Sequence, residues 1–227
     1  MPRGFPCSPY NEVYWRLWGL RFGQEDLDQQ PRSWAIDGWQ GVAYRYRSCA
    51  EHYESYFESL ARHGHTILEP RRYCQERDLF GFFVDGLAAI ECLTFSLFAI
   101  SMFAEPDEFV VRNGHDLRTI KPKSVSAKLA KVFPDEEISA LTRRVVAGPE
   151  FKEWSDARNI LAHRVAPARL LSKSAWITEE ATEEGFQDRT ISISNSSVMQ
   201  KRQWIEETVG KLLGATAKFT IHCLDGN

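Results

Sequence analysis

With 227 residues and 43% apolar side chains, the chain has enough material to fill the core of one domain of ordinary size. A formal net charge of −3 excludes the class of proteins that coat nucleic acid nonspecifically, which carry a strong basic excess. The cysteines, Cys7, Cys49, Cys74, Cys92 and Cys223, are odd in number and scattered, so they make no disulfide framework and fit a reduced cytoplasmic compartment; the opening residues lack the apolar stretch of an export signal.

In chain order, residues 10–22 are aromatic-rich and predict a short helix or an irregular amino-terminal arm, and 23–31 read as a connector. Asp37 is placed to cap a helix over 38–63, with Val42, Tyr46, Cys49, Tyr53, Tyr56, Phe57 and Leu60 on its buried side and Gly64 as its stop. The chain reads as a single globular domain overall, an amino-terminal arm or short helix, 1–37, followed by the helical domain proper, 38–227. The next helix, 78–103, is apolar enough to resemble a membrane span, yet Asp85 and Glu91 interrupt it. A charge near the centre of a spanning helix is costly, so the segment reads as the central core helix, with no membrane contact.

A polar connection carrying Asn113-Gly114 follows, then short helices over 124–132 and 136–146, separated by Pro134. Gly148-Pro149 precedes a further helix, in which Phe151, Trp154, Ala157, Leu161 and Val165 recur at three- and four-residue spacing; Pro167 ends it. Residues 170–178 and 189–194 are alternating or β-branched around a polar middle containing Gly185, which predicts a small β-hairpin. Helical spacing resumes over 200–219. The pattern supports an all-α class: an up-and-down helical bundle carrying one hairpin near its carboxyl end.

The chemistry concentrates in Arg158-Asn159-Ile160-Leu161-Ala162-His163. His163 falls near the carboxyl end of its helix, where the terminal carbonyls favour the protonated imidazole by roughly 0.3–1 kcal/mol. That suits general acid–base work. Asn159 is four residues from His163 and shares its face, whereas Arg158 lies roughly 140° around the axis from it. Arg158 borders the apolar stripe and needs an anionic partner, and either Asp85 or Glu91 of the core helix can supply one. The bland alternative is half of a structural ion pair beside a carbonyl-capping histidine.

Charge is unevenly distributed. Arg112, Arg118, Lys121, Lys123, Lys128 and Lys131 face only Asp116 in the same tract, a segment suited to steering RNA or, more blandly, to forming a solvated face. His63-Gly64-His65 near Cys74 has metal-capable atoms but no second cluster at ligand spacing, so no metal site is expected. No glycine-rich phosphate loop follows a strand, and no cofactor is expected.

Arg-Asn-x-x-x-His in the last helix of a core bundle resembles the signature of the HEPN superfamily, over residues 38–165. The resemblance implies a metal-independent endoribonuclease acting as a homodimer, with two copies of the motif facing each other, in a toxin or phage-defence context. It gives His163 the role of general acid–base, Arg158 that of clamp on the scissile phosphate, Asn159 an orienting role and Asp85 or Glu91 a supporting acidic one. RNA is then the substrate, and an antitoxin or regulatory protein a partner. HEPN toxins paired with nucleotidyltransferase antitoxins carry a Tyr two residues after the His; here Val165 stands there, which argues against that pairing. The superfamily also holds noncatalytic binding modules, the second reading.

Overall fold

A computed structural model describes residues 4–23, 29–64, 70–163, 169–170, 185–188 and 191–225. Among these the architecture is an all-α helical bundle with a short antiparallel sheet beside it. Helix α1, Cys7–Gly23, turns Tyr10, Val13 and Leu17 into the common core. The indole Nε1 of Trp39, on α2 (Gln29–His63), donates to the Tyr10 carbonyl at 3.0 Å and ties the two together. The amino-terminal segment is therefore a helix of the same domain. α2 also runs unbroken through position 37. Asp37 sits inside the helix on its exposed side, accepting from Ser33 Oγ at 3.1 Å one turn earlier, and caps nothing.

Buried Ala35, Trp39, Val42, Tyr46, Cys49 and Tyr56 follow one another on α2 at three- and four-residue steps, with half-buried Tyr53 filling the one gap. That repeat gives the long helix one continuous apolar seam. Gly64, at φ +60°, closes α2 by donating its N–H to the Leu60 carbonyl at 2.8 Å, a left-handed turn that costs glycine nothing. α3, Arg71–Ala104, returns antiparallel: His52 meets Asp78, Ser48 meets Asp85, and Ala35 accepts from Ser96 Oγ at 2.8 Å. By length and composition α3 is able to cross a bilayer, but much of it is buried against α2, α5, α7 and α8.

The polar connection after α3 contains a helix that the sequence reading omits, α4, Gly114–Thr119. Its cap is Asn113, whose side-chain oxygen accepts from the N–H groups of His115 and Asp116. Asn-Gly reads as a turn because the same side chain serves both purposes. α5, Pro122–Val132, begins with proline in its first turn, and α6, Glu137–Ala147, follows. α7, Pro149–His163, carries the motif; positions 164–168, with Val165 and Pro167, lie outside the described residues.

The strands are β1, Arg169–Leu170, β2, Gly185–Asp188, and β3, Ile191–Ser194, in the order β1-β2-β3. β2 pairs antiparallel with β3, setting Phe186 opposite Ile193, while residues 171–178 of the expected first strand lie outside the described residues. Gly185 opens a strand, where the sequence pattern had put it in the loop. α8, Asn195–Asp225, closes the bundle, longer at both ends than its apolar spacing suggests.

Candidate active site

α7 is fastened to the core by Trp154. Its side chain is fully buried among Phe82 and Phe83 of α3 and Trp204 of α8, and its Nε1 donates to the Phe83 carbonyl at 2.7 Å. Ring burial supplies the adhesion, and the N–H bond fixes the depth of insertion. Arg158 follows one turn later on the edge of that contact.

Between Asp85 and Glu91, the two acids offered by the sequence, the structure joins Glu91 to Arg158. Arg158 Nη2 lies 3.4 Å from Glu91 Oε1, with the arginine side chain 32% exposed. Burial holds the Glu91 carboxyl above the usual carboxylate range, and the Arg158 charge pulls it the other way. The contact is long and single. A guanidinium presents five N–H donors in a fork, and Arg158 Nε is buried with no hydrogen-bond partner among the described residues. The exposed part of the guanidinium makes, among the described residues, only the Glu91 contact. Asn159 is exposed beside it. His163 is the last residue of α7; helical register puts it four residues beyond Asn159 on the same face.

Asp85 belongs to a different network. Its carboxylate, almost wholly buried, accepts from Arg45 Nη1 at 2.7 Å and Ser48 Oγ at 2.6 Å, both on α2. Below it, Asp78 accepts from Ser55 Oγ at 2.6 Å and from Arg77 Nη2 at 2.8 Å. The His52 ring stands between the two acids, Nδ1 3.3 Å from Asp78 Oδ1 and Nε2 3.9 Å from Asp85 Oδ2. Gln75 extends the seam, donating to Ser59 Oγ and to the Gly64 carbonyl. Buried carboxylates are tolerated where hydrogen bonds and cations satisfy them, and this seam satisfies both. Its signal in the sequence was Arg45, Ser48, His52, Ser55 and Ser59, a polar series at three- and four-residue spacing beside the apolar one.

The basic tract does not act as one face. Arg112 and Lys128 line a depression of about 440 Å³ together with Asp107, Glu108 and Asp116, which balance them. The Lys128 ammonium rests over the Phe109 and Phe98 rings at 5.0 and 5.7 Å, and Lys131 lies 3.4 Å from Glu108. Arg118 and Lys121 are exposed. Lys123 points elsewhere, into a cleft of about 600 Å³ between α5, α6 and α7, where it joins Arg143 and Lys152, two cations the sequence reading passed over. Among the described residues no three His, Cys, Asp or Glu side chains gather as a metal site would require. No protein-family model, curated protein or solved structure matches this chain.

Proposed function

We propose that this chain is a metal-independent endoribonuclease of the HEPN type. One observation carries the reading: a partly exposed arginine on the rim of the bundle, held among the described residues by one long contact to Glu91, directly precedes an exposed asparagine and stands five residues before His163 at the end of α7. A phosphodiester oxygen fits the exposed end of the guanidinium.

The chemistry follows from the groups. His163 takes the proton from a ribose 2′-hydroxyl as that oxygen attacks phosphorus, and the imidazolium returns a proton to the departing 5′-oxygen. The products are a 2′,3′-cyclic phosphate and a free 5′-hydroxyl. Arg158 holds the nonbridging oxygens as charge gathers on them, and Asn159 orients the imidazole or a phosphate oxygen. Since Arg158 and His163 diverge by roughly 140° around α7, a homodimer that apposes two motifs completes the site more readily than one chain does. A toxin or phage-defence role, under an antitoxin or regulatory protein, accords with that activity.

Cleavage of total RNA in EDTA tests the proposal. Arg158→Ala and His163→Ala are each expected to lower the rate by at least ~10²-fold, the contribution typical of a general acid–base, with melting temperature and oligomeric state retained. Full activity in His163→Ala rules it out. The Arg158–Glu91 contact also bridges α7 and α3, which favours a second reading, a noncatalytic module that binds a protein or RNA partner. In that case no RNA is cut, and Arg158→Ala mainly lowers the melting temperature.

A further inference from the structure

The cleft between α5, α6 and α7 is apolar at its base and cationic at its rim. Val146 and Phe151, both largely buried, form part of its floor, and exposed Lys123, Arg143 and Lys152 stand around it. Lys123 and Arg143 make no side-chain hydrogen bond or ion pair among the described residues. Lys152 reaches Asp156 at 2.8 Å, an exposed pair one turn apart that a phosphate can share. Asp156 is the one carboxylate in the lining, so the cleft is cationic on balance although the chain as a whole is acidic.

Helical register connects this cleft to the motif. Counting roughly 100° per residue around α7, the lining positions Phe151, Lys152, Ser155 and Asp156 span a sector of about 140°. Asn159 and His163 fall within the same sector, one and two turns further along, and Arg158 falls at its edge. The face of α7 that walls the cleft therefore runs on into the proposed catalytic positions.

We infer that a single strand of RNA lies along this face of α7, with its phosphates on Lys123, Arg143 and Lys152 and an unstacked base over Val146 and Phe151. This rests on the endoribonuclease reading and gives it a substrate path. A strand with a splayed base suits a cleft of this size and an apolar floor, whereas a duplex presents only its phosphates and keeps its bases stacked.

The test measures binding separately from cleavage. The full chain carrying His163→Ala is titrated onto a fluorescein-labelled single-stranded oligoribonucleotide by anisotropy, across salt concentrations. Each phosphate neutralised on a single strand contributes about −0.7 to the slope of log K against log salt. Lys123→Ala/Arg143→Ala/Lys152→Ala is thus expected to flatten the slope by about 2 units and weaken binding at low salt. Lys211→Ala, a cation paired with Glu207 on α8, is the matched control and leaves the slope unchanged. Lys123→Arg/Arg143→Lys keeps the charges and is expected to keep the slope.

Unchanged affinity and slope in the triple variant, with RNA still bound by the parent, overturns the path and leaves the nuclease reading standing. No RNA binding by the parent overturns both. Poly-glutamate bound in place of RNA, with the same dependence on the three cations, assigns the cleft to an acidic protein and overturns the path.

Discussion

The indole of Trp154 lies against Gly86 so closely that a methyl group at that glycine would overlap the ring. The missing side chain on α3 is what lets α7 approach, and one turn after the indole comes Arg158. Packing at position 86 therefore sets the position of a guanidinium that does not touch it.

Gly86→Ala is expected to cost about 1–3 kcal/mol by overpacking, measured by urea denaturation, and to lower RNA cleavage through displacement of α7. The comparison is Gly214→Ala on α8, where a built methyl meets no atom within 4 Å. There the same substitution is expected to stabilise by about 0.4–1 kcal/mol, because it removes backbone freedom from the unfolded chain at no steric cost. Equal effects at the two positions would contradict the packing argument.

Asp85 and Glu91 are expected to separate in an alanine comparison. Asp85→Ala strips the partner from Arg45 and Ser48 at a buried position; with Arg45 itself 44% exposed, the cost is discounted to about 2–3 kcal/mol. Glu91→Ala removes one long contact from a half-exposed pair, and a change under about 1 kcal/mol is expected. Chemical denaturation of both variants checks the order; a larger loss in Glu91→Ala would reverse the assignment.

Glu91 also carries a pH signature. Burial raises its pKa in the folded state, so the folded protein binds the carboxyl proton more tightly than the unfolded chain does. Stability from this group is then fully present below the unfolded carboxylate pKa and declines as pH rises through the folded value. Relative to Glu91→Gln, the wild type is expected to lose stability across the mildly acidic range and to run parallel to it above. Melting curves from pH 3 to 8 read this directly. A wild type that gains on Glu91→Gln as pH rises would mean that the Arg158 charge outweighs burial.

The thiols are expected to react in two classes. Cys49 and Cys223 are buried, and burial pushes Cys223 up to about 12 and Cys49 higher still, while Cys92 is raised for the same reason. All five cysteines are free. Iodoacetamide at pH 8 is expected to label half-buried Cys7 and Cys74 first and to reach Cys49 and Cys223 only in denaturant, since the thiolate is the nucleophile. Rapid native labelling of Cys49, read by peptide mass mapping, would show that α2 opens.

Much of the bundle was legible before any coordinates. The three- and four-residue spacing of Val42, Tyr46, Cys49, Tyr53 and Tyr56, and of Phe151, Trp154 and Ala157, encodes a core-facing stripe that only a helix can present. Pro149 and Gly64 marked a start and a stop for reasons internal to the backbone. Local rules failed where one residue type serves two purposes: Asp37 resembles a cap yet sits in mid-helix, and Asn113 reads as a turn yet caps α4.

By itself the sequence determined the helices, the stripes they bury and the grouping of Arg158, Asn159 and His163 on one helix end, since each depends on spacing along a single segment. Only the tertiary structure decided which acid meets which cation. Asp85 and Glu91 lie on one helix, roughly 120° apart around its axis, so they face different neighbours. Which neighbour packs on which side is a property of the whole bundle: α2 brings Arg45 and Ser48 to one, α7 brings Arg158 to the other. The cleft of Lys123, Arg143 and Lys152 arose the same way, because three cations on three different helices share a rim only once α5, α6 and α7 have packed.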